Sequence, residues 1–149
     1  MHNPFDLDKA RRILPAPEDP GFVYLMRDRG RLKLGKTKTP ENRVRTARTW
    51  CPDIEIIAMK PFWHHHSTER YIHVGLAMFH YKGEWFDFDG DAFEDSFIEE
   101  FQLFGDDDAL ENNLAFPYFI NGSGMAEFTL EWSRRGISKR KFLINRGFS

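Results

Sequence analysis

The stretch that decides the fold is Phe22-Val23-Tyr24-Leu25-Met26, followed across the turn-like Asp28-Arg29-Gly30-Arg31 by Leu32-Lys33-Leu34-Gly35. Two short runs rich in strand-forming residues around a glycine turn predict a β-hairpin, here with a four-residue loop and no fixed register. Side chains alternate along a strand, so Val23, Leu25, Leu32 and Leu34 share one apolar face. Tyr24 and Lys33 then stand together on the other face.

Working outward, Thr39-Pro40-Glu41 reads as a helix start, with Thr39 at the N-cap, proline at the first helical position and an acid in the first turn. That helix is expected to reach about Trp50, where Cys51-Pro52-Asp53 stops it. Ile54 to Met59 reads as a third strand, His64 to Phe79 as a second helix, and Glu84 to Phe88 as a short strand after a turn at Lys82-Gly83. Phe93, Phe97, Phe101 and Phe104 recur at helical spacing, which predicts an amphipathic helix laid on the core. Leu114 to Ile120 and Met125 to Trp132, flanking Asn121-Gly122-Ser123-Gly124, suggest a C-terminal hairpin, and Ser138 to Asn145 a last basic helix. The expectation is therefore an α+β fold: a three-stranded, mainly antiparallel sheet flanked by helices, extended by a C-terminal helix, hairpin and basic helix. Residues 1–20, with Pro4, Pro15, Pro17 and Pro20, form an N-terminal arm; 21–88 form the core domain; 89–149 form an extension packed on it.

The chain has 149 residues, 41% of them hydrophobic and 30% charged, enough for one core and too few for two of ordinary size. Asp6, Asp8, Lys9, Arg11 and Arg12 fall where a signal peptide needs an unbroken apolar run, so a soluble, cytoplasmic protein without membrane contact is expected. The single cysteine, Cys51, leaves no intramolecular disulfide and no cysteine-based zinc cluster. A net charge of −2 conceals strong segregation. Nine basic residues lie between Arg27 and Arg48 against two acids, twelve acids lie between Glu84 and Glu111 without a single lysine or arginine, and the last stretch is basic again. Clustered cations suit a phosphate backbone, although a solvated charged face is the commoner cause of any one such run.

Phosphodiester hydrolysis needs a base for water, a cation at the phosphate and a carboxylate to hold a metal. Tyr24, Lys33, Lys36, Arg43 and Glu69 supply that set in this order of elements. His65, Glu69 and His73 fall at i, i+4 and i+8 of one helix, with His64 and His66 beside them. A two-histidine metal site is one reading of that spacing; packing, or a supporting role behind the metal ligand, is the commoner one. Glu84 is a second candidate carboxylate. Lys36, Lys38, Arg45, Arg48, Arg134, Arg135, Lys139 and Arg140 are candidate DNA contacts. Gly30 to Thr37 also fits the phosphate-loop pattern GxxxxGKT, yet Leu32-Lys33-Leu34 alternates like a strand and Lys38-Thr39-Pro40 delays the helix, so no nucleotide cofactor is expected.

Phe22-Val23-Tyr24 and Lys33-Leu34-Gly35, eight residues apart, Arg43 eight beyond Gly35, and Glu69 on a later helix resemble the GIY-YIG nuclease superfamily. The Lys33-Leu34-Gly35-Lys36-Thr37 wording and the late Gly83-Glu84-Trp85-Phe86 resemble its phage-type branch, related to the meiotically up-regulated-gene domain. The resemblance implies a metal-dependent DNA endonuclease using one magnesium or manganese ion. It implies that Tyr24 assists deprotonation of the attacking water, that Glu69 ligates the metal, and that Arg43, with Lys36 nearby, stabilises the scissile phosphate. Two positions depart from the pattern: Phe22 replaces the first glycine, with Gly21 displaced by one, and Lys33 replaces the second tyrosine. The Lys33 departure keeps open a catalytically inactive DNA-binding or regulatory module. The acidic segment 84–111 is read as a solvated helix face, with a protein-binding surface as its alternative.

Overall fold

The computed structural model describes residues 20–125 together with Ser138, Lys141, Ile144 and Gly147. Strand β1 (Gly21–Asp28) and strand β2 (Arg31–Thr37) form the expected hairpin, and the pairing of Asp28 with Arg31 leaves a loop of two residues rather than four. Arg29 and Gly30 both take positive φ, at 53° and 76°. That is the turn geometry matching the right-handed twist of paired strands. It fixes a register in which Tyr24 faces Gly35 and Met26 faces Lys33.

Helix α1 (Pro40–Trp50) follows at the expected bounds, although Thr39 makes no side-chain capping bond: its backbone N–H is instead held by the Thr37 hydroxyl at 3.0 Å. Strand β3 (Glu55–Phe62) pairs antiparallel with β1, and helix α2 (His65–Gly75) gives way to a 3-10 turn at Ala77–Phe79. The sheet then gains a second hairpin, β4 (His80–Lys82) and β5 (Trp85–Phe86), reversed at Gly83 with φ of 56°. The five strands run antiparallel in the order β3-β1-β2-β5-β4. The expected three-stranded sheet is thus too small. Strand β4 escapes the sequence reading because all three of its residues are exposed, so it carries no apolar alternation.

The two sheet faces are covered differently. Val44, Ala47 and Cys51 bring α1 against Tyr24, Met26, Ile54 and Met59. On the opposite face Val23, Leu25, Leu32 and Leu34 meet α2, helix α3 (Phe93–Gln102) and helix α4 (Ala109–Ser123) in the main core. Phe97, Phe101 and Phe104 point inward as their spacing requires, and all three ring-pack on Phe119.

Helix α4 corrects the expected C-terminal hairpin. Asp108 caps its start by accepting from the Glu111 N–H at 3.0 Å, and Leu110, Ala115, Phe116, Phe119 and Ile120 bury one side of it. The glycine pair read as a hairpin turn serves another purpose: Gly124, with φ of 80°, terminates the helix in the left-handed region. The chain beyond Met125, where the second hairpin strand was expected, lies outside the described residues. So do the arm over 1–19, Arg134, Arg135, Lys139 and Arg140, and all but isolated positions of the last basic helix. Among the described residues no helix is long and apolar enough to cross a membrane.

Candidate active site

The ladder between β2 and β5 is short. It pairs Leu32 with Phe86 and Lys33 with Trp85, and one more bond runs from the Leu34 N–H to the Glu84 carbonyl at 2.9 Å. In a strand the N–H and C=O of one residue point the same way, so the Leu34 carbonyl also faces the β5 side. The ring of His73 meets it there, with Nε2 at 2.9 Å. The same Nε2 lies 3.5 Å from Oε1 of Glu69. Both neighbours are acceptors, so Nε2 must carry the hydrogen. Side chains from α2 thereby wrap the edge of β2 just where β5 ends.

Glu69 is 5% exposed, and its other oxygen, Oε2, is 3.7 Å from Nζ of Lys36. Lys36 follows Leu34 by two residues and therefore stands on the α2 face of the sheet. On the other face the Tyr24 ring lies over its register partner Gly35, and its hydroxyl donates to Oε2 of Glu84 at 3.0 Å. A Cβ at Gly35 would meet the Tyr24 hydroxyl at 2.2 Å and the Glu84 carboxylate at 2.7 Å, so the glycine is what lets the phenol cross the strand. Burial pushes the Tyr24 phenol well above its ordinary range. The charge of Glu84 adds to this, Arg43 opposes it, and the bond to Glu84 and the charge of Glu69 add further. Arg43, in the first turn of α1, holds its guanidinium carbon 5.8 Å from the centre of the Tyr24 ring.

The edge of β2 therefore gathers a phenol hydrogen-bonded to a carboxylate, an arginine over the phenol, and a buried carboxylate between a lysine and a histidine. Tyr24, Arg43 and Glu84 meet on one face of this edge and Lys36, Glu69 and His73 on the other, with the charge of Glu69 felt at the Tyr24 phenol. Lys33 stands on the Tyr24 face two residues before Gly35, its ammonium 5.6 Å from the Trp85 ring. His65 is buried against Gly21, where a Cβ would meet its ring at 2.2 Å, and its ring centre lies 4.0 Å from that of His66, the two planes tilted by 39°. That contact accounts for the displaced glycine: the position that cannot carry a side chain is 21, not 22. Lys38, Arg45 and Arg48 are exposed around α1, where Arg45 also hydrogen-bonds Asn42.

Glu84 was a reserve carboxylate in the sequence; its bond to Tyr24 spans 60 residues and makes it a member of the site. The sequence signal for it was the Gly83-Glu84-Trp85-Phe86 run, which sets the β4–β5 turn beside Gly35. Among the described residues no group of three or more histidine, cysteine, aspartate or glutamate side chains is arranged to hold a metal ion by itself.

No curated protein and no solved structure matches the chain. The family model of the T5orf172 domain matches residues 21–101, which takes in the whole sheet, α1, α2 and nearly all of α3. More than half of the chain, including every residue gathered at the β2 edge, falls within that match, and the chain belongs to the T5orf172 domain family, a phage-associated family related to nuclease-type domains.

Proposed function

We propose that the protein is a metal-dependent DNA endonuclease of the GIY-YIG type that hydrolyses phosphodiester bonds at the β2 edge. The observation that carries this reading is the convergence of the Tyr24–Glu84 hydrogen bond, Arg43 and the Lys36–Glu69 pair on one short segment of strand. Water attacking phosphorus loses a proton to the Tyr24 oxygen while the phenol passes its own along the existing bond to Glu84. A phenol with a raised proton affinity is a poor acid, and Glu84 beside it gives the relay somewhere to end. Arg43 and Lys36 supply positive charge for the phosphate oxygens as negative charge builds in the transition state.

The donor set fits a hard divalent cation of the magnesium or manganese kind. Such ions are held by one or two carboxylates and complete their shell with water and substrate phosphate, so a self-contained cage is not required. Glu69 would hold the ion, with water and substrate phosphate completing its shell, and the ion would supply Lewis-acid stabilisation of the phosphate. His73 orients Glu69 from behind, and Lys36, paired with the other oxygen of Glu69, would keep its positive charge beside the phosphate. Lys38, Arg45 and Arg48 grip the DNA backbone. The test is incubation of labelled single-stranded and duplex DNA with the protein in magnesium, manganese or EDTA. Metal-dependent strand scission is expected. A folded protein that binds DNA and leaves both substrates whole would instead favour a binding module, the reading that Lys33 at the second tyrosine position supports.

A further inference from the structure

Trp50 closes helix α1 with 81% of its surface in water, the most exposed large apolar side chain among the described residues. An indole left in solvent at the end of a basic helix has no packing reason to be there. Helix geometry relates it to the site: Arg43 and Trp50 are seven residues apart, nearly two full turns, so both lie on the same flank of α1 about 10 Å apart along the axis. Arg45 and Arg48, exposed on the same helix, point roughly 140–160° away from both and mark its opposite flank.

Beside the indole is a cleft of about 530 Å³ lined by Arg29, Gly30, Trp50, Pro52, Asp53 and Glu55, among others. Its charges are mixed and partly paired: Arg29 lies 3.9 Å from Asp28, and Arg27 3.9 Å from Glu55. Such a cleft repels a phosphate from Asp53 and Glu55, whereas a neutral ring with donors and acceptors on its edge is suited to it. Aromatic faces beside a cationic track are how unpaired bases are held without sequence preference.

The geometry points to a nucleobase-stacking site on Trp50, taking an unpaired base of the DNA strand whose phosphate is held at Arg43. This rests on the nuclease reading above and specifies the substrate it prefers: a strand single or opened near the cut. An unpaired strand extends beyond the duplex spacing of about 3.4 Å per nucleotide, so the stacked base lies within roughly three nucleotides of the scissile phosphate. The base edge faces the cleft.

The experiment is equilibrium binding in EDTA, which prevents cutting, of wild type, Trp50→Ala and Trp50→Phe to a single-stranded oligonucleotide, its duplex, and a set of strands each carrying one abasic position. Trp50→Ala is expected to melt with the wild type and to bind single strands about ten-fold more weakly, with Trp50→Phe between them and duplex binding little changed. One abasic position should weaken wild-type binding by a similar factor and leave Trp50→Ala unaffected, because the partner is already gone. Equal single-strand affinity of wild type and Trp50→Ala would overturn the stacking site while leaving the nuclease reading intact. So would an equal loss on single strand and duplex, or an abasic effect that persists in the variant. A folded wild type with no affinity for any DNA would overturn both.

Discussion

Tyr24 and Gly35 act as one unit. The register of the first hairpin sets them opposite each other, and the absence of a Cβ lets the phenol reach Glu84 across the strand. Tyr24→Phe keeps the buried ring and removes only the hydroxyl, so stability should fall by about 1 kcal/mol in urea denaturation. Cleavage should fall by roughly 100-fold or more if the relay operates through that oxygen. Gly35→Ala should lose cleavage to a similar degree by driving the phenol off Glu84, with Tyr24 and Glu84 themselves unchanged; single-turnover rates on one labelled DNA compare the two. What was legible here was the alternation that puts Tyr24 on its own face. The Tyr24–Glu84 bond was not legible, since no local pattern links residues 60 positions apart.

Elements show where sequence signals are shared between structures. The α1 start, the third strand and the phenylalanine-spaced helix α3 follow from proline placement, β-branching and period, each of which has one structural meaning in its context. Gly122 and Gly124 do not. A glycine with positive φ serves a hairpin turn and a helix end equally, and only packing of Phe116, Phe119 and Ile120 on the sheet decides for α4. Asn112 anchors that helix: its side chain donates to the carbonyls of Pro61 and Gly105 and accepts from the Gly105 N–H, all within 2.9 Å. Asn112→Ala leaves those buried groups without partners and should cost about 3 kcal/mol in urea denaturation. Glu94, on α3, carries an opposite signature. Burial, only partly offset by Arg27, raises its proton affinity, with Asp95 and Asp87 adding to the effect. An acid raised on folding binds more protons folded than unfolded, so its contribution to stability falls as pH rises from the ordinary carboxylate value upward. The melting temperature of Glu94→Gln relative to wild type should therefore climb between about pH 4 and pH 7. A difference that stays flat or shrinks over that range would contradict the assignment.

At the scale of the molecule the charge segregation seen in the sequence becomes two faces of one sheet. The basic helix α1 covers one, and the acid-rich α3 covers the other. Several acids of the 84–111 segment are engaged in the fold, with Asp106 on Lys60 at 2.7 Å, Asp87 on Arg31 at 3.3 Å and Glu84 on Tyr24. On the proposed reading, a bipolar molecule of this kind would meet DNA with α1 leading and α3 held away. Replacing Arg45 and Arg48 together with glutamine should reduce the slope of log affinity against log salt by about two, a phosphate contact each. An unchanged slope would remove α1 from the DNA interface.

The most direct test of the account compares Mg²⁺-dependent DNA cleavage by wild type and Glu69→Gln, with DNA affinity measured in parallel. Glutamine keeps the shape of the buried side chain and removes the charge between Lys36 and His73. The account predicts that wild type cuts, that Glu69→Gln cuts at least about 100-fold more slowly, and that the two bind DNA alike. Cleavage by Glu69→Gln at the wild-type rate would contradict it.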